Sequence, residues 1–195
     1  FAGLLVLVDE WNVDFALCGS QKALSCPPEF SFLSISDRAW EIIEKVNYVG
    51  YDAILPFKKA LEKKEFPYTP SWRSLAALDV ALDLIDKEGL QNLFLRHTQC
   101  QEYTINRLKA MGIKLYLKES CLELNSPTVT AAYVPDGWTW KEFDDALRAK
   151  GVVVGGTYGK ISGIVFRIGH MGSQADLKLL EKALNIMEEV LKQGK

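Results

Sequence analysis

The apolar positions change rhythm along the chain. LLVLV at 4–8, VDFALC at 13–18 and FSFLSIS at 30–36 are short, nearly continuous apolar runs that read as buried strands, and the charged amphipathic segment DRAWEIIEKV follows them. Beyond GYDAILPFKKALEKKEFP the texture becomes that of long helices. TPSWRSLAALDVALDLIDKEG carries Thr69 as a candidate N-cap and Pro70 as first helical residue, puts Leu75, Leu78, Leu82 and Ile85 on one stripe, and stops at Gly89. A second helix is predicted from about Leu90 to Met111, closed by Gly112 and followed by a strand at IKLYL.

The last third alternates. TVTAAYV reads as a strand, then a helix opens at Thr139 with Glu142 completing a capping box and Gly151 as its stop, and VVVG and IVFRIG read as further strands. A final helix has Ser173 and Asp176 near its start and an apolar row at Leu177, Leu180, Leu184, Met187 and Leu191. The fold class implied is α/β, with an α+β unit in the C-terminal part.

Composition narrows the function classes. The 195 residues are 48% apolar, enough to bury a core, and 23 basic against 25 acidic side chains leave a net charge of -2. No stretch of five like charges occurs, which argues against a nucleic-acid binder or a polybasic membrane anchor. No apolar run is long enough to span a bilayer, and FAGLLVLVDEW lacks the basic segment and cleavage site of a signal peptide, so a cytoplasmic protein is expected. The chain does not begin with Met, which suggests that something precedes Phe1. Cys18, Cys26, Cys100 and Cys121 show no zinc-like spacing with His97 or His170; reduced thiols and no metal are expected.

Lys22, in GSQKALSCPP, carries the sharpest chemical question. Placed where an apolar strand gives way to a turn, it is either a lysine that extends into solvent or a partly desolvated amine of lowered pKa, suited to forming a Schiff base with a carbonyl. Arg167 in VFRIG is either one half of a buried ion pair or a bidentate clamp for a carboxylate. Thr69 is either a plain N-cap or part of an anion site at a helix start. Gly155, Gly156 and Gly159 do not form a dinucleotide-binding fingerprint, and a tight turn explains them.

The run DEWNVDFALCGSQKALSCPP closely resembles the region around the cofactor lysine of class V aminotransferases of the serine-pyruvate and alanine-glyoxylate type. PYTPSWRSLAALDVAL and GGTYGKISGIVFRIGHMG extend the resemblance over most of the chain. It implies the C-terminal part of a fold type I transferase dependent on pyridoxal 5'-phosphate. Residues 1–88 would be the remainder of the cofactor-binding large domain with a connecting helix, and 89–195 the small α+β domain.

Position by position, the resemblance makes Lys22 the Schiff-base lysine and proton shuttle, and places Gln21 beside the cofactor. Tyr68 and Thr69 become the loop that reaches a neighbouring subunit's cofactor phosphate in a homodimer, and Arg167 the clamp on the substrate carboxylate. Small amino acids and 2-oxo acids, serine or alanine with pyruvate or glyoxylate, are the implied substrates. His170 is assigned no chemistry. Two departures stand out: Glu29 replaces the family's glycine after the two prolines, and the family's phosphate loop, stacking aromatic ring and pyridine-binding aspartate would all precede Phe1. Asp9 and Asp14 are not given that aspartate's role. Impaired activity of the chain alone is therefore expected. The alternatives are a non-catalytic fragment or assembly module, or a phosphoserine aminotransferase relative, whose lysine segment differs; a cysteine desulfurase would need a histidine before the lysine and a mobile cysteine.

Overall fold

A computed structural model describes residues 3–194. The described residues divide into two compact units, 5–87 and 88–194, with Gly3 and Leu4 belonging to the second.

In the first unit, strands β1 (Phe15–Gly19) and β2 (Ser31–Ile35) pair antiparallel, with Phe15 opposite Ile35 and Gly19 opposite Ser31. The long loop between them carries Lys22. Helix α1 (Asp37–Val46) starts where Ser36 Oγ accepts from Ala39 N at 3.1 Å and donates to Asp14 at 2.7 Å. A short α2 (Ala60–Lys63) and the long α3 (Trp72–Glu88) follow.

The sequence pattern missed here in three places. LLVLV at 4–8 forms no strand, because its backbone closes a turn instead: Trp11 N donates to Leu7 O and Val13 N to Val8 O, both at 2.9 Å. The α3 stripe is not buried within this chain, since Leu75 and Leu82 are exposed and Ser74 is the helix's one buried residue among those described. The helix also starts later than Thr69 and Pro70. A residue before proline is driven toward extended backbone, and the first helical bond runs from Leu75 N to Ser71 O at 3.0 Å.

The second unit is built on α4 (Leu90–Ala110), whose buried residues Leu93, His97, Cys100, Thr104 and Leu108 recur at the three- and four-residue spacing of one helix face. That face meets β3 (Val129–Tyr133), which pairs antiparallel with β4 (Val165–Gly169). The predicted strands at IKLYL and VVVG shrink to single bridges. Leu115 pairs with Ala132, and Gly155 with Arg167. Lys114 and Tyr116 bond Tyr133 and Ala131 on either side of the first bridge and Gly155 exchanges both bonds with Arg167 at the second, and neither ladder extends further.

Helix α5 (Trp140–Ala149) has the expected capping box, with Thr139 Oγ1 accepting from Glu142 N and the Glu142 carboxylate accepting from Thr139 N. Gly151 closes it at φ 81°. Helix α6 (Leu177–Gln193) is capped by Asp176. Its buried row is Leu180, Leu184, Met187 and Val190; Leu177 faces outward. Ser173 lies in a single turn before the helix. The core closes around Phe143 and Phe166, whose rings meet edge to face with centroids 5.3 Å apart.

Candidate functional site

Lys22 stands on the β1–β2 loop, and the loop is held by its buried neighbour Ser20. The Ser20 backbone N–H donates to Phe30 O at 3.0 Å, its carbonyl accepts from Cys26 N at 3.1 Å, and its hydroxyl bonds Pro27 O while accepting from Phe30 N. Ser25 N donates to Lys22 O at 2.9 Å, and Ser25 itself takes the left-handed conformation at φ 57°. The positive φ that a glycine would relieve therefore falls at Ser25, and Glu29 is spared it.

Partial desolvation of Lys22 is not observed. The residue is exposed, while Ser20, Ala23, Leu24 and Cys26 are buried around it. The physical reason is that β1 ends at Gly19 and the turn puts Ser20, three residues after Leu17, beneath the loop. No described side chain bonds to the Lys22 amine. Gln21 is also exposed and folds its side chain back over Gly19.

The Cys26 thiol is buried and bonds backbone, with Leu24 O at 3.5 Å and Ala77 O of α3 at 3.7 Å. Asp14 is committed to Ser36 and to Arg38, whose guanidinium lies 2.8 Å away; the Ser36 hydroxyl, then Arg38, hold its carboxyl below the usual range.

Tyr68 packs against Tyr51 and Phe57, at centroid distances of 4.8 and 5.9 Å. Thr69 is exposed. The adjoining helix start also meets a carboxylate of the chain itself. Ser71 Oγ donates to Glu29 Oε2 at 3.0 Å, and Ser74 Oγ donates to the same oxygen. A carboxylate is stabilised at this positive end of α3. Glu29 thus ties the loop that carries Lys22 to Ser71 and Ser74, at the helix start that follows Tyr68 and Thr69 in the sequence.

Arg167 belongs to the second unit. Its backbone exchanges both hydrogen bonds with Gly155, and its Nε and Nη2 both donate to Gly156 O, at 2.9 and 2.6 Å. Tyr158 lies over the guanidinium at 5.9 Å. No carboxylate pairs with Arg167 among the described residues, so the buried ion pair left open by the sequence is not what holds it. Gly156 fits tightly: a Cβ there would lie 3.2 Å from the Trp140 ring.

The turn after β4 is clamped by two neighbours on α4 that sequence reasoning did not single out as such. Arg96 takes both Glu88 oxygens side on, at 2.6 and 2.8 Å, and its Nη1 donates to Gly172 O and Ala175 O. His97 lies against Leu93 O through Nδ1 at 2.7 Å, and Gly172 N donates to its Nε2 at 3.0 Å. That pattern requires the neutral ring protonated on Nδ1. His170 is likewise buried, with Nδ1 on Pro127 O and Nε2 on Thr130 Oγ1. Burial lowers the pKa of both, His170 down to about 4. Neither ring is available for acid–base chemistry. The only sequence signal for this clamp was the i, i+4 placement of Leu93 and His97 on one helical face.

No protein-family model matches the sequence. An uncharacterized aminotransferase of Methanocaldococcus jannaschii is 41% identical over 182 residues, 91% of this chain and 46% of the relative. A serine–glyoxylate aminotransferase of Arabidopsis thaliana is 37% identical over 89% of this chain and 43% of its own length. A protein named soluble hydrogenase, small subunit, from a Synechococcus strain is 32% identical over 95% and 48%. Among solved structures, pyridoxamine-pyruvate aminotransferase from Mesorhizobium loti superposes with a TM-score of 0.91 at 30% identity, over all of this chain and 50% of the other. A phosphoserine aminotransferase from Cytophaga hutchinsonii, at 16% identity and a TM-score of 0.78, shares the fold alone. The chain spans about half the length of the curated relatives it matches.

Proposed function

We propose, from the premise that this chain resembles class V aminotransferases along nearly all of its length and has the mixed α/β fold of part of a fold type I transferase, that it carries the reactive lysine and the carboxylate-binding arginine of a pyridoxal-phosphate-dependent aminotransferase. The substrates are small amino acids, serine or alanine, with pyruvate or glyoxylate as acceptor. The observation that carries this reading is Lys22: an exposed amine with no bonding partner among the described residues, on a loop whose backbone is pinned from both sides by Ser20. An ordinary surface lysine has no need of so constrained a loop.

An exposed amine on a tied loop, with hydroxyls of Tyr68 and Thr69 beside a helix start, is a donor set whose chemistry suits that cofactor. Pyridoxal phosphate supplies an aldehyde for the amine and a ring that withdraws electrons from the substrate's α carbon. Lys22 would hold the cofactor through its aldehyde, and the same amine, when free, would carry the proton at the substrate's α carbon. Gln21 would lie beside the ring, and Thr69 and Tyr68 would meet the phosphate held by a second copy in a homodimer.

Arg167 binds the substrate carboxylate. Gly156 O already takes the edge formed by Nε and Nη2, which leaves the end formed by the two terminal nitrogens for two parallel N–H bonds to a carboxylate. Lysine cannot offer that pair of donors.

Incubation with pyridoxal phosphate, borohydride reduction and peptide mass mapping test the reading. The cofactor mass is expected on the peptide containing Lys22 and is absent from Lys22→Ala; indiscriminate labelling of surface lysines defeats the assignment.

A further inference from the structure

Glu29 reaches across the sequence. Its carboxylate accepts from Ser71, 42 residues later, and from Ser74, 45 residues later, and the two hydroxyls lie 3.0 Å from one another. Ser74 is 2% exposed and Ser71 O receives the first helical bond of α3, so the contact is made with the helix start itself. At its other end Glu29 continues into the lysine loop. Glu29 N donates to Pro27 O at 2.8 Å, and Pro27 O also receives the hydroxyl of the buried Ser20, two residues before Lys22. The Cys26 thiol adds a weaker tie to Ala77 O, one helical turn further along α3.

We propose that Glu29 is a positioning residue: it ties the Lys22 loop to the start of α3, directly after Tyr68 and Thr69, and so holds the lysine and the phosphate-contacting segment to one common point. The proposal rests on the aminotransferase reading for its purpose, but its geometry stands independently. A carboxylate serving only α3 would come from the N-cap position; this one comes from the β1–β2 loop, 42 and 45 residues before the hydroxyls it accepts from. The helix dipole and two hydroxyl donors favour the ionised carboxylate. A long loop closed at its far end loses most of its freedom to open locally.

The test uses the full chain with Glu29→Ala, Glu29→Gln and Ser74→Ala, read by amide hydrogen exchange and by pyridoxal phosphate labelling of Lys22. Glu29→Ala is expected to speed exchange across residues 20–28 by about tenfold, the loss of a charge-assisted bond, and to slow labelling of Lys22 relative to other lysines. Exchange in α5 and α6 should stay as it was. Glu29→Gln keeps an acceptor oxygen and should fall between the two, and Ser74→Ala should add little once Glu29 is gone. Unchanged loop exchange in both Glu29 variants, with only the first turn of α3 loosened, would overturn the proposal and leave Glu29 a helix cap. Absence of preferential Lys22 labelling in the unsubstituted chain would sink the aminotransferase reading, while loop exchange would still decide the role of Glu29.

Discussion

The two units hold themselves together by different means. In the second, a sheet of two strands is backed by helices, and Phe143, Phe166, Leu108, Leu147, Leu184 and Met187 are each at most 1% exposed. In the first, the residues buried are mostly small, Ala23, Ala39, Ala53 and Ala60 with Leu24, while Leu17, Val46 and Trp72 stand largely in solvent. A bare two-stranded hairpin has little stability of its own. The first unit instead relies on polar ties, Ser20 in its loop, Ser36 with Asp14, and Glu29 with Ser71 and Ser74. Apolar packing dominates the second unit, whereas directed hydrogen bonds carry more of the described structure of the first.

The largest effect that breaks this contrast is expected from Phe143→Ala. Emptying the centre of the core costs about 3–5 kcal/mol, and chemical denaturation followed by tryptophan fluorescence should show the second unit's transition lost or shifted far down. Lys22 labelling would change less than the fluorescence.

Acid gives a somewhat smaller effect, again confined to the second unit. His170 titrates near 4 when folded and His97 is also lowered, both because burial disfavours the charged ring. A lowered folded pKa means the unfolded chain takes up the proton first. Their contribution is therefore intact above about pH 6.5 and lost as pH falls toward 4, on the order of 3 kcal/mol for His170. Melting temperatures measured across that window should fall, and a His170→Gln variant should show a flatter slope.

The smallest effects sharpen the comparison most. Thr139→Ala and Ser36→Ala each delete a helix N-cap worth about 1 kcal/mol. In α5 the loss should appear as a lower melting temperature of the whole unit. In α1 it should appear as faster local hydrogen exchange with the global transition unmoved, since little apolar packing couples that helix to a core.

Where local chemistry sets the structure, the sequence was readable. Thr139, Glu142 and Gly151 define α5 without outside help, and the spacing on α4 marks its buried face. Pairing and burial were less readable because they depend on distant residues: LLVLV, IKLYL and VVVG are apolar enough for strands, yet a strand exists only where a neighbour runs beside it. The same limit applied to the site. Lys22 and Arg167 were visible as residue types in their motifs, whereas the Gly156 carbonyl on Arg167 and the Glu29 tie to α3 are products of folding. Glu29 registered in the sequence only as a departure from an expected glycine.

The most direct measurement of the central claim is the site of the borohydride-fixed pyridoxal phosphate. At substoichiometric cofactor, the modified peptide should be the one spanning Gln21 to Leu24, with labelling of Lys64, Lys160 and the other exposed lysines far below it. A label distributed among those lysines in proportion to exposure, or one that persists undiminished in Lys22→Ala, would contradict the account.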